Sequence, residues 1–121
     1  MSKSSSQRIF KLIVHVPLEH AASVRQAIGE AGGGLIGNYS FCSFSTRGIG
    51  RFKDNAQSNP AYGKAGDYEE IEEEEEEEES IEVSPISEGI LLAVIRAMKA
   101  AHPYEETAYQ VIELVDAEKL F

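Results

Sequence analysis

Apolar residues along this chain change period several times, and each change marks an element. Ile9 to Val16 alternates: Phe10, Leu12, Val14 and Val16 form one apolar set, while Lys11, Ile13 and His15 form a mixed one. That is the pattern of a strand with one face against a core, and Pro17 ends it. From Glu19 to Ala31 the period becomes helical, with Ala21, Val24, Ile28 and Ala31 on one stripe and Gly32-Gly33-Gly34 as the stop. Tyr39 to Thr46 alternates aromatic and small residues as a strand. Arg47-Gly48-Ile49-Gly50 reads as a turn, Arg51-Phe52-Lys53 as the start of a return strand, and Asp54 to Gly66 as a loop.

A run of eight glutamates, Glu72 to Glu79, follows. Like charges disfavour it as a helix, and glutamate is depleted in strands. It reads as a solvated excursion between short strand pieces near Ile71 and Ser80 to Val83, so shortening it should leave the fold intact. Ser87 to Ala101 restores the helical period through Ile90, Leu91, Val94, Ile95, Met98 and Ala101, and Pro103 prevents continuation. Thr107 to Val115 is the last strand.

The order is βαββαβ, which predicts an α+β, ferredoxin-like sandwich: an antiparallel sheet with two helices on one face. The other face, carrying Ile13 and His15, needs cover if largely apolar, which predicts a closed homo-oligomer. The domain is expected over 9–116, with a disordered leader at 1–8, an acidic insertion at 67–82 and a C-terminal tail at 117–121.

Charge and composition sharpen this picture. The net charge of -10 is concentrated: twelve of the 21 acids lie between Asp67 and Glu82, leaving nine against eleven Lys and Arg elsewhere. No basic stripe with interleaved aromatics argues for nucleic acid, and no apolar run approaches the roughly 20 residues that span a bilayer. One cysteine, Cys42, excludes an internal disulfide, and a cytoplasmic location is expected.

The candidate chemistry centres on Ala101 to Tyr109, AHPYEETAY. His102, Glu105 and Glu106 have the donor types that suit zinc, copper or manganese, and Cys42 or His15 from a neighbouring surface would add a further ligand. Tyr104, Asn38 and His15 are the candidates for orienting a small ligand. Against each stands a plainer role. His102 sits where a residue capping the helix end sits, and Cys42 has the setting of a small buried hydrophobe. Gly32 to Asn38 lacks the lysine and hydroxyl of a phosphate loop. No nucleophile-base pair appears, so the chain is not expected to be an enzyme. The glutamate run is a candidate surface for a basic protein partner.

Four linked strings, KLIVHVP at Lys11, EAGGGLIGNYSFCSFSTRGIGRF at Glu30, NPAYGKAGDYEEIEE at Asn59 and AMKAAHPYEETAYQV at Ala97, carry a family resemblance. Together they resemble the CutA-like domain of the YqfO group, in the PII-like superfamily. Such domains occur free-standing and inserted in the hydrolase-like scaffold of NGG-interacting-factor-three proteins. The resemblance implies a ferredoxin-like fold assembled as a trimer, acting as a binding or regulatory module for a metal ion or small ligand at subunit clefts. It does not extend to the scaffold's dinuclear metal site. The glutamate run lengthens the segment before the second helix relative to the family. The competing expectation is a non-catalytic structural or adaptor protein.

Overall fold

A computed structural model describes residues 7–53 and 73–121. The expected loop at Asp54 to Gly66, the strand piece near Ile71 and most of the leader lie outside the described residues. The elements are β1 (Ile9–Pro17), α1 (Leu18–Glu30), β2 (Phe44–Phe52), β3 (Glu74–Ser87), α2 (Glu88–Ala101), β4 (Tyr109–Leu114) and a short α3 (Ala117–Leu120). The sheet order is β2-β3-β1-β4 with every neighbouring pair antiparallel. This is the ferredoxin-like α+β sandwich that the order of elements predicts.

The alternation in β1 decides where the core sits. Leu12, Val14 and Val16 are fully buried, as are Ile81 and Ile86 of β3, and α1 and α2 lay Val24, Ile28, Val94 and Met98 over them. Burial of a Val, Leu, Ile or Met side chain stabilises by about 1.5–3 kcal/mol. This one layer is therefore the main source of stability. Helix α1 ends in a Schellman motif: Gly32, at φ 104°, donates to the Gly29 carbonyl and Gly33 to the Ile28 carbonyl. Opposite Lys11, β3 carries an extra residue, because Phe10 faces Ile86 while Leu12 faces Val83. Pro85 lies in that bulge, where its missing N–H takes nothing from the ladder.

Arg8 fastens the start of the sheet. Its guanidinium donates to both Glu113 oxygens at 2.9 and 3.0 Å and lies 3.5 Å from Glu88. The hydrogen bond from Arg8 holds the Glu113 carboxyl below its usual range.

Two expectations fail here. First, Arg47 to Gly50 is no turn: β2 runs unbroken from Phe44 to Phe52, and Tyr39 to Ser43 belongs to the preceding loop. Second, the glutamate run is no excursion, since Glu74 to Glu79 are the first half of β3. The register shows why. Arg47 sits across from Glu79 and Arg51 across from Glu75, with Arg51 Nε 3.0 Å from the Glu75 carboxylate. Arg25 of α1 also pairs with Glu79, whose side chain keeps only 12% of its exposure. Neighbouring glutamates in a strand point to opposite faces, so no two adjacent charges share a side. Gly50 completes the fit: a Cβ there would collide with the Glu78 carboxylate. Cross-strand cations and glycines accommodate what sequence-local repulsion disfavours. The tail after β4 folds as α3, with Asp116 accepting from the Glu118 N–H at 3.1 Å.

Candidate functional site

Helix α2 delivers His102 to the end of β1 at which the chain turns into α1. Its ring is buried, and Nε2 lies 2.7 Å from the His15 carbonyl. The Tyr104 backbone N–H donates to Nδ1 at 3.1 Å, so Nδ1 is the acceptor and Nε2 carries the proton and donates. Both ring nitrogens are committed within the chain. His102 is thus a positioning residue: it stitches the α2–β4 connection to β1 before β4 begins. The N–H of His15 donates to the Ala108 carbonyl at 3.1 Å and adds a second stitch.

The two stitches hold out Tyr104, Glu105 and Glu106. These face the end of the β2–β3 hairpin across a cleft of about 650 Å³, with Phe52, Glu78 and Arg51 on the hairpin side and His15 between. By strand alternation His15, Glu78, Gly50 and Phe52 all belong to the sheet face away from the helices. The cleft is therefore cut into one end of the open face. Tyr104 is half-buried, its hydroxyl 3.5 Å from a Glu78 oxygen and its ring 5.2 Å from the His102 ring. Its phenol is pushed above the ordinary value, first by burial and then by the carboxylates of Glu78 and Glu76. The local field is negative and disfavours a further anion.

Four sequence-selected residues, His15, Tyr104, Glu105 and Glu106, come together in this cleft. Three others do not join them. His102 lies behind the cleft with its nitrogens engaged. Asn38 is at the exposed tip of a small hairpin in the α1–β2 loop, where Ile36 and Tyr39 exchange backbone hydrogen bonds of 2.8 and 2.9 Å. Cys42 is half-buried in the same loop, its N–H bonded to the Gly34 carbonyl at 2.9 Å. That loop belongs to the other end of the molecule: a Cβ on Gly32 would touch Ile90 at the start of α2. Within one chain, then, His102 and Cys42 stand apart from Glu105 and Glu106. Among the described residues no group of three or more His, Cys, Asp or Glu side chains is placed to hold a metal ion.

Glu78, Arg51 and Phe52 are the cleft residues that the sequence reading missed. The signal for Phe52 was the period-two series Phe44, Thr46, Gly48, Gly50, Phe52. Reading Arg47 to Gly50 as a turn concealed it.

Comparison with known proteins bears directly on this architecture. No family model matches the chain. A protein of Halalkalibacterium halodurans named GTP cyclohydrolase 1 type 2 homolog is 40% identical over 116 residues, covering 96% of this chain and 30% of that protein. Its namesake in Bacillus subtilis is 42% identical over 114 residues, covering 90% and 28%. A solved Bacillus cereus protein related to NIF3 superposes with a TM-score of 0.72 at 41% identity, over 91% of this chain and 26% of that one. The fold alone is shared with CutA of Archaeoglobus fulgidus (TM-score 0.57, 15% identity, 90% and 85% covered). It is shared likewise with a B. subtilis GlnK–ATP complex (TM-score 0.58, 15% identity, 88% and 82% covered).

This chain carries a YqfO/CutA-like domain of PII-like fold. It spans about 30% of the length of the curated relatives it matches. The YqfO/CutA-like resemblance read from the four strings therefore holds. What they missed is that the glutamates continue β3. In this YqfO/CutA-like domain no helix among the described residues is long and apolar enough to cross a membrane.

Proposed function

We propose that this domain is a non-catalytic binding module that assembles as a homotrimer through its open sheet face. It takes a small ligand or a divalent ion in the cleft between the β2–β3 hairpin and Tyr104 to Glu106. The observation that carries the reading is the cleft itself: His15 of β1 meets Tyr104, Glu105 and Glu106 of the α2–β4 connection there, held by the buried His102. The trimer is supported by the same face, where Phe44, Phe52 and Ile112 keep 44% or more of their exposure beside Ile13. The relatives' name attaches to proteins of which this chain covers 30% or less, so a cyclohydrolase activity is not carried over to it.

Native mass spectrometry of metal-stripped protein, before and after adding zinc, copper(II) or manganese, tests this reading. A trimer gaining about one ion per subunit, and losing it in the double variant Glu105→Gln/Glu106→Gln, supports an ion in the cleft. A trimer that gains none leaves an organic ligand as the occupant. A monomer overturns the assembly.

A further inference from the structure

Strand β3 outruns its neighbour on one side. Its ladder with β2 continues to Phe52 opposite Glu74, but its ladder with β1 stops at Pro17 opposite Glu78. Beyond that point β1 has turned into α1. The direction of the backbone groups follows from alternation. The His15 N–H points toward β4, so Val14 and Val16 bond β3 at Ile81 and Glu79. Two residues on, and four, the N–H and C=O of Glu77 and Glu75 point the same way. Beyond Pro17 the ladder between β1 and β3 ends, so from Glu77 to Glu75 no strand lies on that side among the described residues.

This short edge lies between two recesses. On the open face is the cleft described above; on the helix face is a groove of about 590 Å³ lined by Leu18, Glu19, Glu75, Glu76 and Glu77. An extended segment laid along the edge would drop alternate side chains into one and then the other. Carboxylates predominate in both recesses: Glu19, Glu75 and Glu77 on one side, Glu78, Glu105 and Glu106 on the other, against Arg51, which is already paired with Glu75. Glutamates on an edge also repel unwanted strands. Here they exclude the acidic edge of a second copy and select for positive charge.

We propose that the β3 edge beyond Pro17 is a docking slot for an extended, basic peptide segment, which adds as a strand in line with β1 and places Lys or Arg side chains in both recesses. The inference rests on the cleft being a binding site and names its partner class. Main-chain bonds to Glu75 and Glu77 supply the register, and the carboxylates supply selectivity.

The test is fluorescence anisotropy of the full chain with labelled Val-Lys-Lys-Lys-Lys-Val, which puts two lysines on each face of the strand, the same peptide N-methylated at alternate amides, and Val-Glu-Glu-Glu-Glu-Val. The basic peptide should bind in a salt-sensitive manner and the acidic one should not. N-methylation in the register that faces β3 should weaken binding about tenfold, the value of one good hydrogen bond. Glu77→Pro should do the same. It removes an N–H aimed at the slot, while Glu76 and Glu78 retain the bonds to β2, and a melting curve checks its fold. The methylated peptide needs no variant, so the test survives if Glu77→Pro does not fold. Equal binding of both methylation registers overturns strand addition; if that binding still falls in Glu105→Gln/Glu106→Gln, the cleft reading survives. No binding of the basic peptide overturns the slot, and ion uptake by native mass spectrometry then judges the cleft separately.

Discussion

His102 has the residue type that invites a metal reading and an environment that assigns it another task. Removing its ring leaves the His15 carbonyl and the Tyr104 N–H without their partners at a buried position. His102→Ala should therefore destabilise the fold by roughly 1–3 kcal/mol, seen as a lower urea midpoint with an unchanged slope. An unchanged midpoint would show that the two stitches contribute nothing. Tyr104 gives a pH prediction. Its phenol titrates above the ordinary value of 10.0, so above that pH the unfolded chain releases its proton before the folded one. Stability that is fully present below pH 10 should then fall as pH rises toward the folded value, and Tyr104→Phe should reduce that alkaline slope. The neutral-pH stability of this variant should change by less than about 0.5 kcal/mol, since a 3.5 Å hydroxyl contact is a poor hydrogen bond.

The decisive element is β3. Fourteen residues long, it is the only strand bonded to β2 among the described residues, and its first six residues are glutamates. Deleting Glu72 to Glu79 should therefore lower the melting temperature by about 10 °C or more, because six of the nine β2–β3 partner pairs vanish with it. A melt within about 2 °C of the intact chain would mean the ladder adds little. Single substitutions should differ by position. Glu79→Gln breaks the part-buried pair with Arg25 and should cost about 1–3 kcal/mol, whereas Glu77→Gln on the exposed edge should stay within about 0.5.

At the scale of the molecule, the helices cover one face of the sheet and leave Phe44, Phe52 and Ile112 on the other. If that face joins copies, Phe44→Glu should convert the trimer to monomer in sedimentation velocity without lowering the monomer's melting temperature. Phe44 is 65% exposed in the single chain, so the substitution removes little from the core. Retention of the assembled mass would place the interface elsewhere.

What was legible in the sequence was whatever depends on near neighbours. The alternation of Phe10, Leu12, Val14 and Val16, the helical stripe from Val24 to Ile28 and the glycine stop determined β1, α1 and the core layer. With α2 and its Pro103 stop they also determined the order of elements. The site was legible in part, because Tyr104, Glu105 and Glu106 follow a helix end that their own chain marks. Tertiary structure decided the rest. Whether eight glutamates repel or pair depends on Arg47, Arg51 and Arg25, which lie 24 to 54 residues away and meet them only through β2 and α1. Whether His102 binds a ligand or a carbonyl depends on His15, brought to it from 87 residues away. Cys42 and Asn38 share the donor chemistry of the cleft, yet the fold places them at its other end. Local sequence sets period and stops; long-range pairing sets which charges and nitrogens are already spoken for.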